Sequence, residues 1–201
     1  MSQKARDDET SRAISQIEQE IEIINFGANR RIRTGLLHVD FSKECYKSLR
    51  SKISELAPHN IFSHAFEGGQ QDHDATAVII SKICQELNLK NYQIPMYRGR
   101  NEKNRLFSVQ KFEKSSNTPL VHKTGRKFCW IALKMMYSYK SQRSTWFVLG
   151  FPVLFHFLIG KFYYKLDEQI HLDNQKIPYY EIRKKCTSNE IRNFYRSIFD
   201  N

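Results

Sequence analysis

Between Asn60 and Tyr97 the chain runs through a strand pattern, a polar turn, a helix pattern and a second strand pattern, and few folds accept that order. The run NIFSHA, residues 60–65, has the length and apolar content of a buried strand. FEGGQQDHD follows with turn chemistry: two glycines, then short polar residues able to cap a helix. Val78, Ile79, Ile83 and Leu87 then recur at helical spacing, with Asp74 placed as a helix cap, and NYQIPMY offers the next strand. Two strands joined by a helix lie parallel, because the crossover returns the chain to the same end of the sheet. The pattern predicts an α/β fold with an open, mostly parallel sheet.

The flanks extend the alternation. Ile14, Ile17, Ile21 and Ile24 predict an amphipathic helix over 10–24, with Asp7, Asp8 and Glu9 near its positive N-terminal end. After FGANRRIRTG comes the short run LLHV. A second helix is expected over 42–56, with Tyr46, Leu49, Ile53 and Leu56 on one face and Pro58 closing it. No internal repeat or low-complexity tract interrupts the chain, and FEKSSNTPLVHKTG, residues 112–125, reads as a loop or lid. With 201 residues, 40% of them hydrophobic, the sequence is long enough for one domain with its own core, residues 1–201.

Charge and cysteines narrow the function classes. The 32 Lys+Arg against 21 Asp+Glu give +11, a balance suited to an anionic surface, an acidic glycan or nucleic acid. No arginine-rich tract with interleaved aromatics and no zinc-finger spacing accompanies that charge, so nucleic acid is not an expected partner. Cys45, Cys84, Cys129 and Cys186 form no CxxC pair and read as buried thiols of a reducing compartment. The polar start SQKARDDETSR has no signal-peptide character, and the expected address is the cytoplasm. WFVLGFPVLFHFLIG, residues 146–160, is shorter than the roughly 18–20 residues of a spanning helix and is interrupted by Pro152 and His156. Its first reading is a buried helix; its second is a peripheral membrane contact aided by the basic flank GKFYYK.

In open α/β sheets ligands bind beyond the carboxyl ends of the strands, which is where the 66–74 turn falls. Gly68 and Gly69 permit a sharp turn at positive φ, and Asp72 and His73 are placed near the N-terminus of the next helix. A neutral imidazole is a common zinc ligand, and a neighbouring carboxylate can orient it. Taken alone, one Asp-His pair in a turn reads as a cap and a surface histidine, because zinc takes three or four convergent ligands.

HAFEGGQQDHDA, residues 64–75, resembles the HAYEGGHPDHDA-type motif of the LmbE/PIG-L-like zinc-dependent N-deacetylases. Two further stretches are similar to that family in the expected order. Arg6 and Glu9 fall on its R-x-x-E, and Ser141 and Gln142 in KMMYSYKSQ fall on its SQ. The resemblance implies a Rossmann-like three-layer domain that hydrolyses the acetamide of an N-acetylglucosamine-type sugar conjugate with a zinc-activated water. It assigns His73 to the metal and Asp72 to the carboxylate that orients or tunes the site. Gln70 stands where many members have a histidine that stabilises or protonates the transition state. Glutamine can donate a hydrogen bond to an oxyanion but cannot shuttle a proton.

The family's HPDDE-type motif, which supplies the other histidine and aspartate ligands, has no counterpart here. Asp7-Asp8-Glu9 is preceded by Ala5 and Arg6 where histidine and proline are expected. The expectation is an N-terminally truncated deacetylase domain that retains one zinc ligand of three. The alternative is a non-catalytic glycan-binding or membrane-peripheral protein of the same fold. His64 reads as a packed histidine, and His38, His59, His122, His156 and His171 show no ligand spacing.

Overall fold

The computed structural model describes residues 3–17, 20–98, 108–110, 112, 119–123, 125–143, 150, 152, 155–156, 158–166, 178–183 and 185–199. They fall into two compact units, one made of residues 1–25 and 121–162 and the other of 26–120 and 163–201. Helices and strands are mixed, in the order α1 (Gln3–Ile14), α2 (Phe26–Asn29), α3 (Leu37–Asp40), α4 (Lys43–Leu56), β1 (Asn60–His64), α5 (Gln71–Leu87), β2 (Lys90–Ile94), β3 (Tyr97–Arg98), β4 (Ser108–Val109), β5 (Leu120–Lys123), α6 (Arg126–Ser138) and β6 (Lys161–Leu166), and the α/β class holds.

The second unit is built around a strand-helix-strand core. Strand β1 (Asn60–His64), helix α5 (Gln71–Leu87) and strand β2 (Lys90–Ile94) follow one another, and β1 pairs parallel with β2 from Asn60↔Lys90 to His64↔Ile94. The parallel pairing is the one the helical crossover requires. Strand β6 (Lys161–Leu166) adds to the far side of β2 in the antiparallel sense, through Tyr92↔Leu166 and Gln93↔Lys165, so the sheet expected to be mostly parallel is mixed in its described pairings. β1 was expected to be buried, yet only Ser63 on it is. Phe62 is exposed and stacks on its cross-strand partner Tyr92, with ring centroids 5.3 Å apart. β1 has a hydrogen-bonded neighbour only on its β2 side among the described strands, and an apolar residue there is covered by a cross-strand ring rather than by a second layer.

Helix α5 is apolar on most of its circumference, as suits a helix with neighbours on several sides. It packs on β1 and β2. Ala75, Ile79 and Ile83 also enter a cluster with Phe41, with Cys45 and Tyr46 of α4 (Lys43–Leu56), and with Phe194 of a C-terminal helix, Ser188–Phe199. Leu49 and Ile53 join that cluster as expected, whereas Leu56, at the end of α4, is exposed. α4 starts at a Ser42 side chain that accepts from the Cys45 amide and stops at Ala57, whose φ of 44° is left-handed, before Pro58.

In the first unit, α1 spans Gln3–Ile14 rather than 10–24. Ser15 Oγ and Gln16 Nε2 both donate to the Arg12 carbonyl, so side chains take up an acceptor at the helix end, and Ile21, Ile23 and Ile24 lie beyond it, exposed. α1 packs on α6 (Arg126–Ser138), with Ala13 and Ala132 buried. Just over half of the apolar run 146–160 and half of the stretch 112–125 lie outside the described residues, as does His171, and where 112–125 was expected to be a loop or lid the structure places a strand at Leu120–Lys123. Within that run Phe155 and Leu158 are helical and exposed, which corrects the buried-helix reading at those positions. Cys45, Cys84 and Cys186 are buried thiols and Cys129 is half-buried. No described helix is long and apolar enough to cross a membrane.

Candidate functional site

β1 delivers the chain at His64 to a turn that closes on the first residues of α5. Of the two glycines only Gly68 has a positive φ, +68°. A Cβ on it would sit 3.4 Å from the Cα and Cβ of Pro178, an ordinary van der Waals contact, so it is the left-handed backbone that asks for glycine. Gly68→Ala is expected to destabilise the protein by about 1–2 kcal/mol, the ordinary left-handed penalty, read as a lower urea midpoint. An unchanged midpoint would mean that the turn takes another conformation at no cost.

Gln70, not Asp74, caps α5: its Oε1 accepts from the His73 amide at 2.8 Å. Asp74 is fully buried and reaches back under the turn, where Oδ1 accepts from Glu67 N at 2.9 Å and Oδ2 from Gly68 N at 3.0 Å. The Tyr180 hydroxyl adds a hydrogen bond to the same carboxylate. Burial first, then the Asp74 charge, pushes that phenol well above its ordinary range. The other end of the turn is tied to the sheet, since Glu67 accepts from Met96 N at 3.0 Å.

Asp72 is engaged with the chain segment before α4. Oδ2 accepts from the Gly35 amide and Oδ1 from the Leu37 amide at 3.1 Å, at the start of the short helix Leu37–Asp40. Gln71 completes the clamp by donating to the Gly35 carbonyl at 3.1 Å. Asp40 holds the same segment from behind through a two-point contact with the Arg33 guanidinium. Both Asp72 oxygens therefore point to a structural task, fastening residues 33–40 to the N-terminus of α5.

His73 lies flat against His64, ring centroids 4.1 Å apart with 4° between the planes, and meets the edge of Tyr97 at 5.6 Å. Burial, with the His64 ring second, lowers the His73 pKa to about 3; burial alone lowers that of His64. The pair is thus neutral at pH 7, the protonation state a metal ligand needs. Its geometry is unsuited to sharing a metal, however. An imidazole binds a metal in its own ring plane, and two stacked, parallel planes have no point in common. Asp72 is taken up by amides, and among the described residues no group of three His, Cys, Asp or Glu side chains converges. These residues do not fit a zinc centre.

The chain matches no family model, no curated protein and no solved structure.

The structure therefore gathers Gln70, Asp72 and His73 at one turn, as the sequence placed them, and adds His64, Glu67, Tyr97 and Tyr180. Tyr97 and Tyr180 carry no local signal, because each arrives from a separate element. The R-x-x-E and SQ stretches also meet. In the first unit the buried Glu9 carboxylate accepts from Ser141 N at 2.8 Å and from the Ser141 hydroxyl. The Arg6 side chain lies outside the described residues.

Proposed function

We propose that this chain carries an LmbE/PIG-L-like deacetylase scaffold, with a Rossmann-like parallel sheet, and that the turn between β1 and α5 receives an N-acetylated sugar conjugate. The observation that carries the reading is His73, neutral, stacked on His64 and in T-shaped contact with Tyr97, at the carboxyl end of β1 and in the first turn of α5. That is the position in which a parallel α/β sheet places its ligands. A neutral imidazole supplies one donor and one acceptor for a sugar hydroxyl or the acetamide. Gln70, its Oε1 engaged with the His73 amide, retains its amino group as the donor end toward a carbonyl oxygen. The parallel β1-α5-β2 unit and the Glu9–Ser141 pairing agree with the resemblance in topology and in the meeting of its outer motifs.

Hydrolysis of the acetamide in that family depends on a metal for which the described residues supply one ligand, so the reading here is binding of the sugar, the non-catalytic member of the two alternatives. Titration of the full chain with diacetylchitobiose, followed by amide chemical shifts, tests it. The shifts are expected to centre on Gly69 to His73, to weaken at least tenfold when chitobiose lacks its acetyl groups, and to vanish in His73→Ala. Absence of binding, or binding that His73→Ala leaves intact, would overturn the reading.

A further inference from the structure

We propose that the exposed face of α6 docks on an anionic phospholipid surface. Lys127, Trp130, Lys134 and Tyr137 are all exposed, and at 100° per residue they fall within about 80° of the helix circumference. Trp130 and Tyr137 are 69% and 77% exposed, unusual for rings of that size. The opposite side of the helix carries buried Ala132 and packs on α1, so the aromatic face is the one turned away from the unit's own core.

The order along the face is cation, ring, cation, ring. Tryptophan and tyrosine settle at the headgroup level of a bilayer, where an apolar body and a polar tip are both satisfied. Lysines between them extend their stems along the apolar layer and leave the ammonium groups among phosphates. From Val121 to Phe162 there are five lysines and two arginines and no aspartate or glutamate. Residues 1–25 of the same unit carry six acidic and three basic side chains, so the unit is net positive and its positive charge is concentrated in the segment that holds α6. An anionic leaflet complements that field, whereas a zwitterionic one does not. With 13 residues α6 lies along the surface rather than through it, as an interfacial helix does. Phe155 and Leu158 of the same unit are exposed as well. This inference rests on the first unit alone and is independent of the sugar reading of the turn.

Co-sedimentation of the full chain with vesicles tests it, using a roughly 2:1 mixture of phosphatidylcholine and phosphatidylserine against phosphatidylcholine alone at near-physiological salt. Partitioning is expected to be at least tenfold stronger on the mixed vesicles. Lys127→Gln and Lys134→Gln should each weaken it by about fivefold, and Trp130→Ala with Tyr137→Ala by tenfold or more. All four side chains are exposed, so the circular dichroism of the variants should match that of the parent. Equal partitioning on both vesicle types would overturn the proposal, as would full binding by the aromatic double variant. Tighter binding to a short DNA duplex than to the mixed vesicles at the same salt would also overturn it, giving the basic face to nucleic acid instead.

Discussion

Asp74→Ala is expected to lower the unfolding free energy by about 3–5 kcal/mol, with Asp74→Asn intermediate. The carboxylate is wholly buried and holds the Glu67 and Gly68 amides and the Tyr180 hydroxyl. Hydrogen bonds to a charged acceptor contribute about 1.5–3 kcal/mol each, and removing the acceptor also leaves the donors buried and unsatisfied. Asparagine keeps one acceptor oxygen and places an amino group where a second acceptor is needed, so it restores part of the network only. Urea unfolding of the three proteins measures the order. The same turn joins the β1-α5 core to the cluster of Tyr180, Cys186 and Ile191, so loosening it should expose Phe66, which packs against that cluster. A loss below about 1 kcal/mol in Asp74→Ala would show that water replaces the carboxylate and that the turn is held by its backbone alone.

Acid should destabilise the protein well before its carboxylates are titrated. In the folded chain His73 is depressed from 6.5 to about 3, chiefly by burial and then by the His64 ring. Below the unfolded value of 6.5 the unfolded state takes up a proton that the folded state refuses. The stabilising contribution is therefore complete above that pH and declines as pH falls toward 3. At about 1.4 kcal/mol per pH unit, lowering the pH to 5 should remove on the order of 2 kcal/mol. His64 shifts in the same direction and adds to the slope. His73→Phe keeps a ring against His64 and removes the titration. Its stability should fall less between pH 7 and 5 than that of the parent, by about 2 kcal/mol. Parallel slopes for the two proteins would mean that His73 is protonated in the folded state without penalty.

Local pattern was enough for the elements whose residues answer to their own neighbours in sequence. Helix α4 begins after Ser42 and ends before Pro58 because cap and breaker act within a few residues, and β1, α5 and β2 follow in the expected order, although α5 starts at Gln71, ahead of the expected Asp74 cap, and β2 stops at Ile94, before Pro95. The crossover itself dictated that β1 and β2 run parallel. Where competing local interactions were close in strength, pattern failed. The isoleucine spacing of 10–24 favoured a helix, but side-chain donors at Ser15 and Gln16 take the Arg12 carbonyl, and no described partner covers Ile21 or Ile24.

The turn shows the same division. Its residue types, two glycines followed by Gln70, Asp72, His73 and Asp74, mark a turn rich in capping groups from sequence alone, because such residues make caps, clamps and ligands. Which of these each one makes is decided by partners distant in the chain. Asp72 is a clamp because Gly35 and Leu37 bring their amides to it, Asp74 a buried brace because Tyr180 reaches it, and His73 a stacked neutral ring because His64 and Tyr97 close over it. The sequence by itself determined the α/β order and the place of the turn, since both follow from local periodicity and backbone sterics. Only the tertiary structure decided what each polar side chain does, because hydrogen bonding and desolvation depend on which groups folding brings within about 3 Å, and that distance is set by packing rather than by spacing along the chain.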